Sequence, residues 1–336
     1  MLRYTVRRLG QLMLVVLALS VLLFAWLRAL PGGPVSALLG DRATPESEAA
    51  LRADLGLDQP IFLQYWRFVA RALTGDFGTS TGVQRGTPAL DVFLQRFPAT
   101  LELAVLAILI AIAVGIPLGY LAARRRGRLL DNLSITWSLV GIAVPVFFLA
   151  FLLKWIFAVQ LGWLPASGRQ TGGIDATRVT GFYVLDGLLT QEWDAALDAF
   201  VHLLLPAIAL STIPFAVIFR ITRAAVLDVL DEDYVRTARS KGLAGAVIRR
   251  RHVLRNAMLP VVTTIGLQTG ALLSGAVLTE RVFNIPGLGQ ALALGFERKD
   301  FPVLQVVILA SAMTYVLVNL LVDLSYAAID PRIRTR

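Results

Sequence analysis

The chain has 336 residues, of which 56% are hydrophobic and only 16% charged, and its mean hydropathy is +0.68. Soluble domains are about 45–50% apolar and about 25% charged, so this balance points to the bilayer. Cysteine is absent, which excludes disulfides, thiol catalysis and cysteine-ligated metals, and His202 and His252 are too few for a histidine-rich metal site.

The expectation is an all-α, polytopic membrane protein with six spans of roughly 20 apolar residues each. The first, Leu9–Leu30, dominates residues 1–30. Arg3, Arg7 and Arg8 ahead of it imitate a signal peptide. The apolar core is too long for one, however, and Arg28 followed by PGGP at 31–34 is a poor cleavage site, so the span is read as uncleaved.

Residues 31–98 form an outer-face segment with two helix signals. Thr44-Pro45 with Glu46 and Glu48 is a start, and Gly56 a stop. A second helix is expected from Gln59-Pro60 to before Gly75. Its stripe of Ile61, Phe62, Tyr65, Phe68, Val69 and Leu73, with Trp66 beside it, suits the membrane interface. Packing against the spans and contact with a partner are the competing readings.

Residues 99–328 carry the other five spans: Ala99–Ala122, Leu133–Gln160, Val201–Ile221, Pro260–Val282 and Val303–Ala328. Basic clusters alternate along the chain. They occur at the amino terminus, at Arg124, Arg125, Arg126 and Arg128, in the loop 223–259, and in the tail 329–336. The bias of basic residues to the cytoplasm places these segments and both termini inside. This alternation also accounts for the net charge of +9 without nucleic acid.

Lys154, Asp323 and Glu102 are among the ionisable residues that fall within spans. Lys154 is expected to snorkel to the interface, and Asp323 to cap packing near the inner end. Glu102, near an outer end, is a candidate for the substrate path. The loop 161–200, with GRQTGG and Asp175, Asp186 and Asp194, suggests no function.

YVRTARSKGLAGAVIRRRHVLRNAMLP, residues 234–260, is Arg-rich yet lies between apolar runs. Leu227, Leu230, Tyr234 and Ala238 share a helical face, so the fourth span is expected to continue through them. Gly242 then breaks the helix in a left-handed conformation. A second helix follows with Leu243, Val247, Leu254 and Met258 on one stripe, and Pro260 restarts the chain into the fifth span. A short helix with a narrow apolar stripe and flanking arginines suits a groove on another protein.

RTARSKG followed by Leu259-Pro260 resembles the coupling loop of the permease subunits of ABC importers, with Arg236, Thr237 and Ala238 where the general motif has Glu-Ala-Ala. LPGGP at 30–34, DLGLDQP at 54–60, GDFGTS at 75–80, ATLELA at 99–104, ERVFNIPGLG at 280–289 and IDPR at 329–332 resemble the dipeptide/oligopeptide branch. The resemblance implies the type I importer permease fold in a bacterial inner membrane. It also implies a homologous second permease, two ATPase subunits and an extracytoplasmic substrate-binding protein as partners, alongside membrane lipid. Tyr234, Arg236, Ala238, Lys241, Gly242, Leu243, Val247, Arg250 and Arg251 become candidates for coupling to the ATPases. Glu280, Phe283, Pro286, Gly287 and Gly289 join Glu102 as candidates for the path or outer gate, although turn chemistry alone gives a plain connection there. The branch also moves nickel complexes, glutathione and sugars; peptide is the expectation.

No catalytic or metal site is expected. Lys154, Lys241 and Lys299 are followed by Trp, Gly and Asp, so none fits a Walker A loop, and ATP with Mg is left to the partner ATPases. Two other classes compete. One is a secondary carrier or channel for small solutes, which would call for deep ionisable residues or an inverted repeat. The other is an ion-gated or scaffold protein using its basic helices on lipid.

Overall fold

A computed structural model of the chain describes residues 2–29, 35, 39, 44–54 and 56–329, without the side chains of 2–9, 11, 12, 27, 51, 54, 273–275 and 321–329. The expectations for PGGP at 31–34, the Asp323 side chain and residues 330–336 of the tail lie outside the described residues.

The described chain is helical. In order the helices are α1 (Leu2–Ala29), α2 (Pro45–Asp54), α3 (Ile61–Leu73), α4 (Ala89–Arg124), α5 (Leu129–Ala143) and α6 (Val146–Leu153), which continues as wider π turns over Lys154–Gln160. Next come α7 (Tyr183–Leu189), α8 (Trp193–Leu230), α9 (Asp233–Ser240) and α10 (Gly245–Val247), with π turns over Ile248–Leu254. The chain closes with α11 (Arg255–Gly275), α12 (Val277–Val282), α13 (Leu288–Glu297) and α14 (Phe301–Ile329).

Three helices among the described residues are long and apolar enough to cross a membrane: α4, α8 and residues 301–320 of α14. The pair α5–α6 makes a fourth if counted as one span, but it bends by 103°. The span expected over Leu133–Gln160 is thus divided between two helices. Val144 is extended, at φ −79° and ψ 123°, because the residue before a proline is pushed out of the helical region, and Pro145 then starts α6.

Two other junctions differ from expectation. The fourth span does not continue through Tyr234: α8 ends at Leu230 and Glu232 is extended, which lets Asp233 start α9 with a carboxylate at its amino-terminal end. Pro260 does not restart the chain but lies inside α11, which the π turns of 248–254 enter without a break.

The chain forms two compact units, Met1–Ala99 with Pro286–Leu317 and Thr100–Ile285 with Val318–Arg336. In the first, Ala89, Val92 and Phe93 pack with Leu288, Ala291, Val303, Val306 and Val307. The buried Asp300 pins the loop before α4: its Oδ2 accepts from Ser80 Oγ at 2.5 Å, Val83 N at 2.8 Å and Gly82 N at 2.9 Å. Thr44 and Ser47 cap α2 reciprocally, and α3 packs on α1, where Tyr65 meets the Phe24 ring edge-on.

In the second unit α8 is central and packs against α5, α6, α7 and α11. The close approach of α4 depends on Gly119, where an added Cβ would lie 2.7 Å from the Phe219 carbonyl oxygen. Gly115 and Gly119 have the small-xxx-small spacing that lets membrane helices approach closely.

Candidate functional site

The second unit presents two polar features, one on the 233–254 hairpin and one around Glu102 and Glu280. The hairpin turns at Gly242, which has φ +74°, and Gly242 N donates to Arg239 O at 2.9 Å. Its inner face is set by Val235, Ala238, Ile248 and Val253, which pack with Ala123, Ala225, Val226 and Ala257. Asn256 Nδ2 donates to Tyr234 Oη at 3.0 Å and ties the two arms together.

Tyr234, Leu243 and Val247 are each about 40% exposed, and Arg236, Lys241, Arg250 and Arg251 are exposed with them. Of the stripes read from periodicity, only Ala238 is fully buried. The packing against the neighbouring helices is made by Val235, Ala238, Ile248, Val253 and Ala257, while Leu254 and Met258 are half-buried. The π turns of 248–254 shift the helical phase, so a count at 3.6 residues per turn does not carry the stripe of Leu243 and Val247 on to Leu254 and Met258.

The second feature is a buried set of charges. Arg169 Nη2 donates to Glu102 Oε2 at 2.6 Å and to the Gly181 carbonyl at 3.1 Å, while Glu102 Oε1 accepts from Val184 N at 2.9 Å. Thr100 Oγ1 donates to Glu280 Oε1 at 2.6 Å, and Glu280 is fully buried. Lys154 Nζ donates to the Val282 carbonyl at 2.8 Å, so the ammonium meets the carbonyl end of α12. The same ammonium lies 5.9 Å from the centroid of the buried Phe283 ring, and the Phe283 carbonyl accepts from Gly168 N.

The loop 161–200 is thus held by side chains. Asp186 closes it by accepting from Thr180 N, Thr180 Oγ1 and Gly181 N. Burial pushes this carboxyl up, but the bonds from Thr180 and the neighbouring amides outweigh it and hold the group below its ordinary value.

A family profile described as "Binding-protein-dependent transport system inner membrane component" matches residues 115–335. The chain belongs to this family. The corresponding amino-terminal profile matches residues 1–104. Over 335 residues the chain is 46% identical to a di/tripeptide transport system permease protein of Pseudomonas aeruginosa, covering 99% of both chains. It is 41% identical over 334 residues to a dipeptide transport system permease protein of Alkalihalophilus pseudofirmus, covering 99% of this chain and 100% of the relative. It is also 40% identical to a glutathione transport system permease protein of Escherichia coli strain K12, covering 99% of both.

Within this membrane component the coupling candidates lie together on one hairpin, whereas the path candidates divide. Glu102, Glu280 and Phe283 belong to the buried set of the second unit. Pro286, Gly287 and Gly289 belong to the first, at the start of α13. Helix α12 is ended by Phe283 and by Asn284 at φ +50°. Sequence reasoning missed Arg169, whose only signal was a cation inside GRQTGG. It also missed the pairing of Asp131 with Arg223, bidentate at 2.6 and 2.8 Å; the signal there was a lone acid in a basic loop.

Proposed function

We propose that the chain is the permease subunit of an ATP-driven importer that moves peptides across the bacterial cytoplasmic membrane. It crosses six times with both termini inside. A homologous second permease completes the path, a substrate-binding protein delivers peptide from outside, and two ATPase subunits bind ATP and Mg. The chain contributes the path and the lever and performs no bond chemistry. The domain plan is a first span over 1–30, an outer segment over 31–98, a five-helix core over 99–328 with the coupling loop 223–259, and a tail over 329–336. The relatives named for dipeptides and di/tripeptides support peptide as the cargo.

The observation that carries the coupling role is the two-faced hairpin. One face is bound to the membrane helices through Val235, Ala238, Ile248 and Val253, and the other leaves Tyr234, Leu243 and Val247 bare among arginines. A lever needs a rigid attachment to what it moves and a free surface for what drives it, and Tyr and Arg are among the side chains enriched where protein contacts are strongest. Glu102, Glu280 and Phe283 support the path as a rigid frame for the loop 161–200.

The test is co-purification from membranes expressing all subunits. The wild type should retain the ATPase pair. A Tyr234→Ala, Leu243→Ala, Val247→Ala triple variant should insert at the same level, lose the ATPases and stop dipeptide uptake in vesicles. Normal ATPase retention and uptake by that variant would sink the coupling assignment. Uptake that proceeds without any ATPase would favour a carrier.

A further inference from the structure

Helix α3 is short, amphipathic and only partly explained by packing. At 13 residues it is about 20 Å long, too short to cross a hydrocarbon core of about 30 Å. At 3.6 residues per turn its side chains divide into three sectors.

One sector faces α1. Tyr65 Oη lies 2.8 Å from Ser20 Oγ, Tyr65 and Phe68 meet the Phe24 ring, and Arg28 donates to Gln64 Oε1 at 2.7 and 3.0 Å. Gln64 in turn donates to the Leu57 and Gln59 carbonyls, so the entry to the helix is fixed as well. A second sector is basic and exposed, with Arg67 and with Arg71 paired to Asp76. The third holds Phe62, Trp66 and Leu73, which are 71%, 68% and 83% exposed.

We propose that α3 lies in the boundary between lipid headgroups and acyl chains, with Phe62, Trp66 and Leu73 inserted among the chains, and that it sets the depth of the Arg28 end of α1. The pattern of Phe, Trp and Leu on one side and arginine on another is the one by which amphipathic helices bind the interface, where tryptophan sits at headgroup level. Continuity argues for lipid over a protein occupant. Helix α1, to which α3 is pinned, is bare along Met13, Leu14, Leu17 and Leu22, and in a membrane component the bilayer covers such a surface. Arg67 and Arg71 are both exposed, on the side away from the stripe, where guanidinium groups can meet phosphates. The inference requires only that the chain be a membrane protein, so it stands apart from the importer reading.

The chain lacks cysteine, so single spin labels can be placed cleanly in the full-length protein reconstituted in phosphatidylcholine–phosphatidylglycerol vesicles. Labels at Phe62→Cys, Trp66→Cys and Leu73→Cys should collide several-fold more often with oxygen than with a water-soluble nickel chelate, and Arg67→Cys and Arg71→Cys should show the reverse. Nickel access at the first three positions would mean that the stripe faces water. Low access to both reagents would mean that protein covers it. Either result overturns the proposal. As a second measurement free of labels, brominated lipid should quench the tryptophan emission of the wild type more than that of Trp66→Phe, and equal quenching would also overturn it.

Discussion

Arg169 and Glu102 are 67 residues apart, yet their charged atoms lie 2.6 Å from each other with both side chains nearly closed to solvent. The guanidinium also covers the Tyr183 ring, 3.6 Å from its centroid. This pair ties the loop 161–200 to α4, and its removal is the sharpest way to ask what that loop does. Taking away one partner leaves a buried charge without compensation, which costs about 3–5 kcal/mol.

Glu102→Ala and Arg169→Ala should therefore each destabilise the protein by about 3 kcal/mol or more, and the double variant by clearly less than the sum, with a coupling of about 1–3 kcal/mol. Denaturation in detergent, run as a double-mutant cycle, measures this. Purely additive effects would mean that the pair is not a structural tie.

Asp300 gives a pH dependence. Its burial raises the carboxyl's pKa, but the bonds from Ser80 and from the Val83, Gly82 and Thr81 amides outweigh that and hold it below its ordinary value. A lowered folded-state pKa contributes stability that is fully present above the unfolded value, about 3.9, and is lost as pH falls through the folded one. Thermal stability of the wild type should hold from pH 7 to about 4 as far as this group is concerned, and decline below. Asp300→Asn should be less stable by about 2 kcal/mol at neutral pH, with a flatter acid limb. Parallel curves for the two proteins would remove Asp300 from the account.

Gly242 has φ +74° with no neighbouring atom within 4 Å of where a Cβ would stand. A larger side chain there meets no clash, so the cost is backbone strain alone, about 1–2 kcal/mol for a left-handed residue with a Cβ. Gly242→Val should weaken ATPase docking and abolish stimulation of ATP hydrolysis by the loaded binding protein in reconstituted vesicles, at matched membrane levels. Gly242→Asn, which tolerates this conformation, should retain most of it. Equal loss in both variants would mean that something other than the turn geometry matters.

Topology can be tested directly because introduced cysteines have no native competitors. Cysteines at Thr5, Arg126, Ala244 and Thr335 should resist an impermeant reagent in intact cells, and those at Ser47 and Gly172 should react. Reaction at Ala244 from outside would overturn the orientation and the coupling role together.

Several features of this protein are written locally in its sequence. The apolar runs of α4, α8 and α14 announce membrane helices because hydrophobicity is summed over neighbours. The capping pair Thr44 and Ser47, the stops at Gly56 and Gly75, and the left-handed turn at Gly242 are all decided within a few residues of themselves. Tertiary structure decided the rest. Which acid meets which cation depends on chain separations of 67 for Glu102–Arg169 and 92 for Asp131–Arg223, and the Ser80–Asp300 bond spans 220. Periodicity identified apolar stripes on the 234–260 hairpin but could not say which one meets a neighbour, and the π turns of 248–254 moved the phase. Val235, Ile248 and Val253 turned inward and left Tyr234, Leu243 and Val247 bare. A stripe records only that a face is apolar; the helix, lipid or partner that covers it is chosen by packing among segments distant in the chain, which nearest-neighbour patterns do not encode.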